Sequence, residues 1–291
     1  MSSTHEEYYL PAPSYWPLIG SVGLFTLMVG AANWLHGAHL GPYVFATGFL
    51  IIVFMMFGWF GTVIRESMKG LYSHQMDRSY RWAMVWFIFS EVMFFSAFFG
   101  ALFYVRMYSV PWLSGQDGFD LTQYLLWPNF QASWPLLKNP DQAAFIGPTS
   151  VMEAWGIPAI NTMILLTSGV TVTFAHWGLL KNKRPQLIAF LAATVALGII
   201  FLSLQAHEYS VAYIEKGLSL GSGIYGTTFF MLTGFHGLHV TIGTIMLAIM
   251  LFRSIRGHFD SEHHFAFEAV AWYWHFVDVV WLFLFVFVYW L

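Results

Sequence analysis

The sequence predicts an all-α membrane protein with seven transmembrane helices. Three observations carry that reading. Of 291 residues, 58% are hydrophobic and 9% charged, whereas soluble domains carry about 25% charged residues. Apolar runs long enough to cross roughly 30 Å of hydrocarbon at about 1.5 Å per residue recur seven times, at 16–36, 42–64, 82–105, 155–178, 186–206, 224–252 and 266–290. The basic residues fall on alternate connections.

The composition also excludes function classes. Thirty Phe and 14 Trp are too many for a water-facing surface and call for lipid or partner subunits around the chain. A net charge of −3 gives no basic footprint for nucleic acid. The absence of cysteine removes disulfides, thiolate zinc sites and iron–sulfur clusters.

Residues 1–14 hold His5, Glu6 and Glu7 and no Lys or Arg. They lack the basic start of a cleaved signal, so the first span is expected to be retained. That span opens at Trp16-Pro17, with proline in the tolerated first turn, and a short turn at His36–His39 leads to the second. Residues 65–81 read as a polar loop holding Arg65, Lys69, Arg78 and Arg81, and 106–150, rich in Pro, Trp, Gly and Asp, as a folded outer loop. Placing the N-terminus in the cytoplasm puts Arg65, Lys69, Arg78, Arg81, Lys181, Lys183, Arg184, Arg253 and Arg256 inside, nine of the 12 basic residues. Only Arg106, Lys138 and Lys216 then lie outside, and the C-terminus falls on the periplasmic face. No internal repeat is visible, which speaks against an inverted-repeat transporter.

The third span runs between Arg81 and Arg106 and contains a single group charged in neutral water, Glu91. A carboxylate at that depth costs about 2.5–3.5 kcal/mol or more unless it is partnered or protonated. Glu91 therefore binds a partner, a lipid headgroup or a proton; the plainer alternative is a protonated acid bonded to a neighbouring helix. Span four carries Asn161, Ser168, Gly169 and Thr171, and span six Thr233, Gly234, Gly237, Thr241 and Gly243. Small and hydroxyl residues at helical spacing read as helix-packing positions.

His236 and His239 invite a haem or metal reading. Ligands three residues apart on one helix cannot approach a haem from opposite faces, and nothing in the sequence shows His275 converging on them. Both are expected to be buried and bonded across helices, with no metal bound. Glu268, His275 and Asp278 form a stripe on the last span that must face other helices, a partner subunit or trapped water. A structural polar seam is the preferred reading over a proton relay. Arg65, Glu66, His74, Arg253 and Arg256 sit at inner span ends, where basic groups beside an apolar cleft bind anionic headgroups or simply orient the chain.

Together the motifs identify a family. The chain resembles cytochrome c oxidase subunit III of the seven-span type, through Trp16-Pro17-Leu18, Val63–Ser67 (VIRES), Phe89–Phe95 (FSEVMFF), Pro158–Gly169 (PAINTMILLTSG), Ala175-His176, Leu204-Gln205-Ala206, Tyr225-Gly226, Thr233–Val240 (TGFHGLHV) and nearly all of His263–Tyr289. The runs cover every span in order. The resemblance implies a non-redox core subunit of a proton-pumping oxidase in a bacterial cytoplasmic membrane, with no catalytic residue or metal ligand of its own. Haem and copper would lie in partner subunits I and II, with subunit I the main contact, and other respiratory complexes are further partners. It implies a V of spans one and two against spans three to seven with phospholipid in the cleft, hence a division at 1–75 and 76–291. Glu91 would face the cleft and support proton uptake and sustained turnover. Trp59, Glu66 and Arg253 match lipid-holding positions, and His74 is a looser match because the loop before span three differs in length. The long 106–150 loop departs from shorter relatives, and Glu153, displaced from the family acid, carries no role. A quinol oxidase subunit III is the alternative, disfavoured by the number of spans.

Overall fold

In hydrocarbon only a helix or a closed barrel satisfies all its backbone groups, and the apolar runs fold as helices. The structure, a computed structural model, describes residues 13–118 and 120–291; His5, Glu6 and Glu7 lie outside the described residues. Among these there is no strand. The elements are α1 (Trp16–Leu35), α2 (Gly41–Met68), α3 (His74–Tyr104), α4 (Val110–Leu113), α5 (Asp120–Leu125), α6 (Ile157–Leu180), α7 (Arg184–Ile214), α8 (Ile224–Ile255) and α9 (Phe265–Leu284). Among the described residues seven helices are long and apolar enough to cross a membrane, α3 joining α4 through a π-helical turn at Val105–Ser109 and α9 ending in another at Phe285–Trp290.

The third span differs from the sequence expectation at both ends. It begins at His74, so Arg78 and Arg81 lie on the helix, and what remains between α2 and α3 is 69–73. Asp77 sits in the first turn, where the helix dipole favours an acid, and accepts a bond from Arg81 Nε at 2.8 Å. That i,i+4 pair lets a polar stretch remain helical. At the other end Arg106 does not stop the helix. The π-helical turn absorbs it, and Pro111 follows directly in the first turn of α4.

The chain divides into two compact units, Met1–Trp82 and Ala83–Leu291. In the first, α1 and α2 form an antiparallel hairpin. A side chain at Gly30 would strike the Phe45 backbone, and one at Gly48 the Leu27 backbone. Missing Cβ atoms thus bring the two backbones together, as small residues do between membrane helices. Trp16 packs edge-on to Phe54 and Trp34 to Phe45.

The second unit is organised around α9, its most enclosed helix. Trp274 and Trp281 are fully buried. Trp274 Nε1 donates to Ser168 Oγ at 2.9 Å and Trp281 Nε1 to Thr162 Oγ1 at 2.9 Å, which fixes α9 antiparallel to α6. Hydroxyl pairs tie the neighbours: Thr171 to Thr194 at 2.8 Å, and Tyr209 to Thr233 at 2.7 Å. Asn161, Ser168 and Gly169 are buried as packing residues. On α8, Thr233 and Gly243 also turn inward, but Thr241 bonds its own Gly237 carbonyl and is exposed. Four-residue steps advance about 400° on a helix of 3.6 residues per turn, so that stripe drifts off the interface.

Residues 120–156 pack onto the connection between α7 and α8. Phe130 and Leu136 are buried, Asn139 Nδ2 donates to the Phe145 and Ser222 carbonyls at 3.0 Å each, and Lys216 Nζ donates to the Val151 carbonyl at 2.7 Å.

Between α8 and α9, Asp260 Oδ1 accepts the amides of His263 at 2.6 Å and Glu262 at 2.8 Å. The His263 amide, followed by that of Glu262, holds this carboxyl below the usual range against a smaller opposing effect of burial. A carboxyl lowered on folding stabilises above its unfolded pKa, about 3.9, and that contribution is lost as pH falls through the lower folded value. Hydrogen exchange at the His263 amide is therefore expected to lose its protection over that acid window, and Asp260→Asn to remove the dependence. A protection profile flat with pH in the parent chain would refute the turn.

Candidate functional site

Glu91 projects from the middle of α3 and meets α8. Its Oε2 lies 3.0 Å from His239 Nε2, the two side chains being 22% and 11% exposed. Aromatic groups fix the imidazole: Phe95 stands edge-on at 5.0 Å and Tyr273 stacks at 6.3 Å. The other ring nitrogen, Nδ1, is 2.6 Å from the Phe235 carbonyl. A carbonyl can only accept, so Nδ1 carries a proton. Nε2 then has two states: it is protonated and donates to a carboxylate, or it is bare and accepts from a protonated Glu91. Either way one proton lies between Glu91 and His239, and the pair is neutral overall. The acid at mid-span is thus partnered by a group on another helix.

His236 addresses a different helix. Its Nε2 lies 3.2 Å from the Val277 carbonyl, and its ring packs on Trp281 and Phe201. Both histidines are thus bonded across helices. The sequence singled out Glu91 but left its partner unnamed. The two residues are 148 positions apart, and no periodicity links them.

The other sequence-derived positions are placed as follows. Trp59 on α2 is exposed, as is His74 at the first position of α3. Glu66 accepts the Tyr72 hydroxyl at 3.0 Å. Burial first, then the neighbouring Tyr80 and Glu66, push the Tyr72 hydroxyl up, so it stays a donor. Arg253 is 6% exposed and sits 4.4 Å over the Phe259 ring. No carboxylate pairs with it among the described residues, and its Nε has no hydrogen-bond partner among them. Glu153 is exposed.

The α9 stripe is divided between two places. Its lower part gathers with α6: His176, His264 and Glu268 each bring a ligand-type atom within 4.8 Å of the others. His264 is buried immediately before α9. Its upper part, His275 and Asp278, faces Thr173 and Gly169 of α6. Glu208 on α7 escaped the sequence reading entirely, although it is 1% exposed. It lies within a helix whose polar C-terminal turns resemble a solvated end.

Comparison with known proteins gives a consistent answer. A sequence model of the family described as cytochrome c oxidase subunit III matches residues 5–116 and 123–291. The protein named cytochrome c oxidase subunit 3 from Formosania lacustris is 40% identical over 293 residues, covering 100% of this chain and 99% of its own length. Those of the same name from Aedes aegypti and Drosophila melanogaster are 42% and 41% identical, each covering 99% of this chain and 98% of their own length.

Proposed function

Because the chain belongs to the cytochrome c oxidase subunit III family, we propose that it is a non-redox core subunit of a proton-pumping terminal oxidase. In this reading it packs on subunit I, with haem and copper in subunits I and II and electrons arriving from cytochrome c. It sustains turnover by holding an exchangeable proton and phospholipid near the subunit that pumps. The multi-pass membrane character follows from the seven apolar helices; a bacterial cytoplasmic membrane is part of the proposal.

The observation that carries the proton role is the Glu91–His239 contact. The two side chains lie 3.0 Å apart at the middle of α3, and a fifth of the carboxyl side chain remains open. A purely structural pair gains nothing from that opening. Phospholipid contacts are proposed for Trp59, Glu66 and His74 in the first unit and, separately, for Glu91 and Arg253 in the second. Arg253 supports this best. It is a cation with no carboxylate partner among the described residues, and the complement of an unpaired guanidinium is an anionic headgroup.

The test is purification of the tagged chain in mild detergent. Haem and copper absorption is expected to co-elute with it; elution as a lone chain or homo-oligomer without that spectrum would overturn the assignment. In the same complex, Glu91→Ala is expected to preserve assembly but shorten the number of turnovers before activity is lost. Inactivation at the parent rate would remove the proton role. Arg253→Ala is expected to lower retained phospholipid, and an unchanged lipid content would remove that contact.

A further inference from the structure

His176, His264 and Glu268 gather in the second unit where α6 ends and α9 begins. Each brings one ligand-type atom within 4.8 Å of the other two, the one such group among the described residues. α6 ends at Leu180, one turn beyond His176, and α9 opens at Phe265, next to His264. Two apolar spans terminate here, so an ion reaches the cluster from water without crossing hydrocarbon. Local structure fixes two of the three residues. The His264 carbonyl accepts the amides of Phe267 at 2.9 Å and Glu268 at 3.2 Å, which closes the first turn of α9. Residues four apart around such a turn are neighbours on one face, so His264 and Glu268 stand side by side.

The third member comes from α6. The His176 ring lies 5.6 Å from the His264 ring and 5.7 Å from that of Phe267, which is fully buried and backs the cluster. His264 is 8% exposed, and its Nδ1 is buried with no hydrogen-bond partner among the described residues. Folded proteins rarely leave such an atom unsatisfied, and a bound ion is one way to satisfy it. The donor set selects the ion. Two imidazoles and one carboxylate suit zinc(II), whereas calcium and magnesium take oxygen ligands. Donor atoms around a tetrahedral zinc stand about 3.3 Å apart at bond lengths of about 2.0–2.1 Å, so the three side chains need only close inward. His263 is exposed and lies 3.4 Å from Asp260 Oδ2, which leaves the fourth position to water.

We propose that His176, His264 and Glu268 bind one zinc(II) ion, which ties the start of α9 to the end of α6. The inference goes beyond the oxidase reading and does not depend on it. It also departs from the family resemblance, which implies no metal ligand in this chain. Zinc is redox-inert, so the non-redox role stands beside it.

Zinc uptake by the tagged chain, purified with whatever subunits accompany it, tests the site. The preparation is stripped with a chelator and returned to zinc held at low free concentration by a competing chelator, and the metal is counted by mass spectrometry. The parent is expected to hold about one zinc per chain more than His264→Gln, so that zinc elsewhere in a complex cancels. Glu268→Gln is expected to bind the ion at least about tenfold more weakly, the smallest loss seen when even an outer-shell partner of a zinc ligand is removed. His264→Cys keeps a zinc donor and is expected to recover the ion, with a thiol shielded from maleimide until chelator is added. A merely structural imidazole would not be rescued in that way. Equal zinc counts in the parent, His264→Gln and Glu268→Gln overturn the site. If His264→Gln does not accumulate, the cysteine variant decides: a thiol that reacts at the same rate with and without zinc overturns the site. The haem–copper spectrum is recorded on the same samples. Its absence from the parent overturns the oxidase reading and leaves the zinc count standing.

Discussion

Trp274→Ala is expected to destabilise the second unit by about 3 kcal/mol, near the lower end of the 3–5 kcal/mol seen for large aromatic-to-alanine changes in cores. The lower end applies because unfolded helices in a bilayer remain in lipid, so the water-transfer term largely cancels and packing remains. The packing here is extensive. The indole is fully buried, and side chains at Gly198 or Gly243 would come within 3.1 and 2.8 Å of it. Two glycines have cleared the space that one tryptophan fills. The change also leaves Ser168 Oγ without its indole donor. Trp274→Phe keeps most of the volume and loses the bond, for about 1 kcal/mol. Thermal unfolding of the detergent-solubilised complex should rank the parent above Trp274→Phe and that above Trp274→Ala. An alanine variant within about 0.5 kcal/mol of the parent, the range of surface changes, would show that this contact is not the centre of the unit.

The second large effect concerns the shared proton. His239→Leu is expected to cost about 2.5–3.5 kcal/mol, the cost of an unpartnered acid at mid-bilayer. Glu91→Leu should cost less, because the remaining imidazole keeps its bond to the Phe235 carbonyl. Replacing both residues by leucine should recover most of the loss, since a buried pair exchanged for apolar groups of similar shape is often near neutral. Half-lives of thermal inactivation for the four proteins form a double-mutant cycle. Additive losses would mean that the 3.0 Å contact carries no coupling, and the one-proton account would fail. Function should follow another order: the stable double variant is expected to lose turnover endurance as Glu91→Ala does, because neither retains the exchangeable proton.

The division between what could be read from the chain and what could not follows from the range of the forces. A span is a sum over some twenty adjacent residues, so all seven helices were legible, and Glu91 stood out because it interrupts such a sum. The ends were less legible. A polar helical turn such as Asp77–Arg81 depends on one side-chain pair, and the continuation past Arg106 on one π-helical turn. The family motifs pointed to Trp59, Glu66, His74, Glu91 and Arg253 as positions. They did not show that Arg253 stacks on Phe259 or that Glu66 accepts from Tyr72.

The sequence alone determined the membrane character, the number of spans and the presence of an acid that had to be satisfied, because hydrophobicity and its interruption are local properties of the chain. Only the tertiary structure decided what satisfies that acid, and how the stripe on α9 is divided between a His176–His264–Glu268 cluster and a His275–Asp278 pair. Those pairings join residues on different helices. Each depends on how a helix is rotated about its axis, and that rotation is set by the packing of tryptophans against glycines across the whole unit.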